Sequence, residues 1–243
     1  MPNRVKAGIY SLTPPMSADD DAYLQWHLLD HMPEQYQLPG IVLGSRWIAD
    51  NAHRAARIAG EGPLAEIGSV VSYLVGPPVG QTIEDFIQLG HALREAGRYP
   101  IVRPSLQISV LRLLDYQASP HALISPEVVP FRPHRGVVLI VEEPTDGRPD
   151  TWLQWLRAAH YPRLLGTVGV AGAWTFGTSR AIASSSPAWH TDFQYITVVY
   201  LDDDTLATTR KLVPIIEQRW ENAAVRPLFA GPLKSMVAFE AWP

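Results

Sequence analysis

The feature that most constrains this chain is a ten-residue segment that occurs twice. Leu24-Gln25-Trp26-His27-Leu28-Leu29-Asp30-His31-Met32-Pro33 returns as Leu153-Gln154-Trp155-Leu156-Arg157-Ala158-Ala159-His160-Tyr161-Pro162, with five identical positions at a constant offset of 129 residues. Trp and His are scarce, so composition alone does not produce such a match. A repeat of this kind means two copies of one structural unit.

The first copy reads as strand, helix, strand, strand, helix, strand. Residues 5–12 are β-prone and are stopped by Thr13-Pro14-Pro15. Ser17 or one of Asp19, Asp20 and Asp21 can cap a first helix running to about His31. At about 100° per residue, Leu24, Leu28 and His31 fall within roughly 60° of one another, so His31 is expected to face inward. On the same wheel Trp26 lies about 160° away, on the packing side, and Pro33 should end the helix. Strands at 41–48 and 69–75 follow, separated by an irregular Ala-, Gly- and Arg-rich connection at 50–68 with the character of a lid. A second helix at 82–96 opens on a Thr82 and Asp85 capping pair and closes at Gly97, before a fourth strand at 106–114.

Four prolines between 118 and 135 make a semi-rigid linker. The six elements then recur: strands at 136–142, 170–177, 193–201 and 233–241, and helices at 151–160 and 206–220, the last with Pro214 as a kink or stop. Val198, Tyr200 and Leu201 repeat Val71, Tyr73 and Leu74 at an offset of 127. The expected organisation is an α+β chain of two ferredoxin-like (βαββαβ) repeats, 1–117 and 136–243, joined by the linker at 118–135. Strands such as Ile196-Thr197-Val198-Val199-Tyr200-Leu201 are nearly continuous apolar runs, which requires cover on both faces. The helices of a unit cover one face; the other unit's sheet covers the second.

With 243 residues and 47% hydrophobic composition, the chain can bury a large core. A net charge of −4, from 20 basic and 24 acidic residues, offers nothing to a nucleic acid or an anionic membrane. No apolar run is long enough for a membrane span, and residues 1–10 lack the core of a signal peptide, so a cytoplasmic protein is the expectation. The absence of cysteine excludes thiolate chemistry, disulfides and iron–sulfur clusters.

His31-x-Pro33 followed by Leu38-Pro39-Gly40, between the first helix and the second strand, resembles the EthD-like members of the dimeric α/β-barrel superfamily, here as a tandem fusion. The second copy keeps His160-x-Pro162 but has Thr167-Val168-Gly169 in place of the turn. The resemblance implies an intramolecular dimeric α/β barrel, its repeats packed sheet to sheet, with ligands bound between each sheet and its helices. It also implies relatives that include cofactor-free cyclases, dehydratases, monooxygenases and isomerases, besides proteins that bind haem through a histidine.

His31 is therefore the candidate general acid or base, favoured in its protonated form if the helix ends beside it, with His27 on the same face. His27 and Asp30 have Leu156 and Ala159 as counterparts, which points to the first copy as the active one. Tyr73 or Arg46 would hold developing negative charge. Tyr10, Leu28, Arg112, His160 and Tyr200 complete the expected binding set. His27 and His31 alone make a weak metal pair, and no metal is expected. His53 and His190, in equivalent connections, are expected in solvent. The expected ligand is a small hydrophobic or aromatic molecule, turned over without cofactor, with a haem-binding barrel or a barrel that binds its ligand without catalysis as the alternatives; a homodimer of the fused pair is left open.

Overall fold

A computed structural model describes residues 2–15, 20–99, 104–145, 149–178, 193–222 and 225–236. The first repeat contains strands β1 (Ala7–Thr13), β2 (Ile41–Ile48), β4 (Ser69–Val75) and β5 (Gln107–Ala118). Its helical elements are α1 (Asp20–Trp26), a π-helical turn (His27–His31), α2 (Met32–Gln35) and α4 (Val79–Glu95). The second repeat contains β6 (Gly136–Pro144), β7 (Val170–Thr178), β8 (Tyr195–Leu201) and β9 (Val225–Ser235). Its helices are α5 (Pro149–Trp155), a second π-helical turn (Leu156–His160), α6 (Tyr161–Leu165) and α7 (Thr205–Asn222), which runs through Pro214 without stopping.

Both repeats order their strands alike, β2-β4-β1-β5 and β7-β8-β6-β9, and every pairing is antiparallel. The sheets join edge to edge through β5–β7 and β2–β9, so the whole closes into a barrel. Closure removes the unpaired edges that two separate sheets would expose. Alternate side chains then enter two environments. Tyr10, Leu12, Trp47, Val70, Leu74, Leu111, Val137, Leu139, Trp174, Phe176 and Val198 fill the barrel. Ile9, Val71, Tyr73, Val75 and Val110 face the first repeat's helices, and Val138, Ile140, Tyr195, Val199 and Leu201 face the second's.

Several expectations change. Pro33 does not end the first helix: it sits in the first turn of α2, where a missing N–H costs little. The preceding π turn, with the Met32 N–H donating to the His27 carbonyl, takes up one extra residue. Thr82 lies inside α4 rather than capping it, and its hydroxyl donates to the Pro78 carbonyl at 2.7 Å. The connection at 50–68 is no lid. It forms α3 (Asn51–Ala55), a two-residue strand β3 (Ala59–Gly60) on β9 and a 3₁₀ turn, strapping the first repeat to the second.

The linker is also built in: a 3₁₀ helix at Pro126–Phe131 lowers Val129 into the barrel core, and the Trp174 indole N–H donates to the Pro126 carbonyl at 3.1 Å. The last strand lies earlier than 233–241, at Val225–Ser235, and the expected positions 237–241 fall outside the described residues.

Candidate functional site

The π turns decide the geometry. In an α-helix, residues five apart point about 140° away from one another, but the wider turn nearly superimposes them. Trp26 and His31 consequently stack, with ring centroids 5.0 Å apart and planes 18° apart. Trp155 and His160 do the same at 5.5 Å and 24°. Trp26 is thus a wall of the His31 environment, which corrects the helical-wheel placement on the opposite side.

His31 and His27 are both buried and line a cavity of about 210 Å³ between α1, α4 and the outer face of the first sheet, along with Tyr23, Trp26, Tyr73 and Phe86. Their rings meet edge to face at 5.5 Å. Tyr99, just beyond the Gly97 stop of α4, shares a hydrogen bond with His31 Nε2 at 3.2 Å. His31 Nδ1 lies 3.9 Å from Glu34, whose carboxylate is paired with Arg98.

Burial pushes the His31 imidazole down to about 4. Burial, then the charges of Arg46 and His31, holds His27 well below the usual histidine range. Both rings are neutral at neutral pH, so the expected protonated His31 is corrected: the helix does not end there, and desolvation dominates. The Tyr73 hydroxyl is buried without a partner among the described residues, and burial raises it above the ordinary phenol range, so it stays a hydrogen-bond donor.

The other expected residues are scattered. Arg46, 3% exposed, points to the helix side with its guanidinium 4.9 Å above the Tyr23 ring, and it lines a neighbouring cavity with Leu28. Arg112 is exposed, the strand-in-water outcome. Tyr10 and Tyr200 lie in the barrel core, away from either cleft. Tyr200 is not the counterpart of Tyr73. Arg46 and Thr175 hold equivalent places on β2 and β7, and their partners Val71 and Thr197 set the true offset of β4 and β8 at 126. A one-residue slip sends a side chain to the opposite face of a strand, so Val199 is the residue that matches Tyr73. His53 is buried and bonded to Asp50 at 2.7 Å, not solvated, while His190 lies outside the described residues.

The second cleft is filled. Trp152, the counterpart of Tyr23, stacks on Tyr195 at 4.0 Å, and Leu156, Tyr161, Leu164, Leu212 and Ile216 are fully buried around them. The Tyr161 hydroxyl shares a 2.6 Å hydrogen bond with Thr175, which bonds Thr197 at 2.8 Å; Arg219 donates to Thr197 and pairs with Glu142 at 2.5 Å. His160 is left at a separate cavity of about 170 Å³, its Nε2 unpartnered among the described residues and its pKa pushed down to about 2 by burial and by Arg219 and Arg163.

Tyr99 and Tyr23 were missed by the sequence reading. Tyr23 stands four residues before His27 on the same stripe and could have been found; nothing in the sequence marks Tyr99.

These spaces are small for haem. The cavities beside His31 and His160, about 210 and 170 Å³, are both below the roughly 300–1,000 Å³ that drug-sized ligands occupy, and a haem is larger still. His31 Nε2 is moreover engaged by Tyr99. The described residues do not fit that group as arranged.

No family model and no curated protein matches the chain by sequence. Solved structures do match by shape. An anthrone oxidase-like protein superposes with a TM-score of 0.55 at 11% identity, covering 99% of this chain and 96% of that one. A chlorite dismutase from Candidatus Nitrospira defluvii in complex with imidazole gives 0.55 at 11% identity, with 99% and 94% covered. A dye-decolorizing protein from V. cholerae gives 0.50 at 10% identity, with 98% and 96% covered. The chain therefore has the dimeric α/β-barrel fold, closed within one polypeptide; at such identities the likeness concerns fold alone.

Proposed function

We propose that the first repeat is an acid–base site acting on a small, mainly apolar molecule of one or two rings, without a cofactor. The observation that carries this reading is the 210 Å³ cavity walled by aromatic side chains, into which a neutral His31 and an unpartnered Tyr73 hydroxyl both reach. Neutral His31 would take a proton from a carbon beside a carbonyl, or from a phenol, and the Tyr73 O–H would donate to the oxygen on which negative charge grows. Returning that proton to another carbon gives an isomerisation; giving it to a β-hydroxyl that leaves as water gives a dehydration; and giving it to the alkoxide formed when the carbanion adds to a second carbonyl gives a cyclisation. Large polycyclic substrates fit the volume less well than single rings.

The EthD-like resemblance belongs to this reading, since it rests on His31-x-Pro33 and the turn at Leu38-Pro39-Gly40. The name of the anthrone oxidase-like neighbour refers to an aromatic ketone and is in keeping with it. Haem, the competing reading, stands against the cavity volumes. A Soret band in the purified protein would decide for haem.

The test of catalysis needs no known substrate. A panel of small aromatic ketones in D₂O is followed by proton NMR for exchange beside the carbonyl. Wild type is expected to accelerate exchange for at least one ketone, and His31→Gln to lose about 10²–10⁴ of that rate with its fold intact. Equal rates for the two proteins reject His31 as the base.

A further inference from the structure

A second cavity, of about 390 Å³, opens at the seam where β2 of the first repeat meets β9 of the second. Its described walls are apolar side chains of Leu28, Met32, Trp47 and Met236, and its polar groups include Arg46, Arg132 and His134. No carboxylate stands among those described lining residues.

The charges can be followed one at a time. Arg132 is already neutralised by Asp202, at 2.8 Å. His134 is tied at both nitrogens: Nε2 accepts from the Trp47 indole N–H at 3.0 Å, so Nδ1 carries the proton and donates to the Arg132 carbonyl at 3.1 Å. Arg46 remains. It is 97% buried, being 3% exposed, and its Nε and Nη1 have no hydrogen-bond partner among the described residues. Its compensation is the face of Tyr23. A desolvated guanidinium without an anion is costly, whereas a carboxylate presented to its planar fork can accept two parallel hydrogen bonds. The apolar walls demand that the rest of such a ligand be hydrocarbon.

We propose that this seam cavity binds a small amphipathic carboxylic acid, with its carboxylate on Arg46 and its apolar body against Met32, Trp47 and Met236. The site is separate from the His31 cavity, and its existence does not depend on any reaction there.

Two probes test it: trans-cinnamate, and trans-cinnamamide as the neutral molecule of nearly the same shape. A ligand that binds only the folded protein raises its stability by an amount that grows with ligand concentration relative to Kd. Cinnamate is expected to raise the melting temperature of wild type, the amide to do so at least about ten-fold less effectively, and Arg46→Met to erase the difference. Arg46→Lys, which keeps the charge but loses the fork, is expected to bind cinnamate with intermediate affinity. The indole N–H signals of Trp47 and Trp26, assigned with Trp→Phe variants, locate the ligand: cinnamate should shift the Trp47 signal. No binding to wild type, equal binding of acid and amide, undiminished binding to Arg46→Met, or a shift confined to Trp26 would each overturn the proposal. If Arg46→Met does not fold, the Arg46→Lys comparison and the Trp47 signal decide.

Discussion

Acid should destabilise this protein through His31, and the size of the effect follows from the burial of that ring. Its pKa is about 4 in the fold and 6.5 unperturbed. Between those values the unfolded chain binds a proton that the folded one refuses, so stability is complete above pH 6.5 and is lost as the pH falls toward 4. At about 1.4 kcal/mol per pH unit the whole loss comes to about 3 kcal/mol, of which about 2 kcal/mol is gone by about pH 5. Replacing His31 with Gln removes the titration. The assay is urea unfolding of wild type and His31→Gln at about pH 8 and about pH 5, comparing how much stability each loses between the two. Wild type should lose about 2 kcal/mol more than the variant. A difference below about 0.5 kcal/mol, or a larger loss in the variant, would show that burial does not depress the His31 pKa.

Two further outcomes follow from other side chains. Glu142→Gln strands the fully buried Arg219 guanidinium and should cost about 3–5 kcal/mol, a melting-temperature fall of about 6–20 °C by calorimetry. Glu142→Leu combined with Arg219→Met should recover most of that loss, and additive losses would refute the pairing argument. Tyr99→Phe should lose about 1 kcal/mol by chemical denaturation, as one partner of His31 disappears; unchanged stability would mean that the bond contributes nothing.

Much of the fold was legible because the repeat is written in large, rare residues and the strands in long apolar runs. Trp26, His31 and Pro33 identified the unit, and segments such as 196–201 showed that both sheet faces are covered. What the pattern did not carry was phase. A helical wheel assumes a constant turn, so one added residue between Trp26 and His31 moved the Trp to the wrong side. An offset of 127 in place of 126 likewise put Tyr200 on the cleft face, when it points into the barrel.

The site was half legible. His31, His27 and Tyr73 line one cavity, whereas Arg46 belongs to the next and Arg112 to solvent. That division depends on which face of a strand each residue occupies and on where the strand meets its neighbour. Tyr99 enters from a part of the chain 68 residues away from His31, a distance over which local sequence says nothing. The expected asymmetry between the copies has a physical form in the packing: Trp152 and Tyr195 occupy the space that stays open beside Tyr23.

The paired π turns fix the phase of each half. The widened turn stands at the same register in both, and in both it presses an indole flat against an imidazole. What differs between the halves is therefore not the backbone that carries these rings but the side chains set around them, so exchanging those neighbours is the change that would open one hollow or close the other.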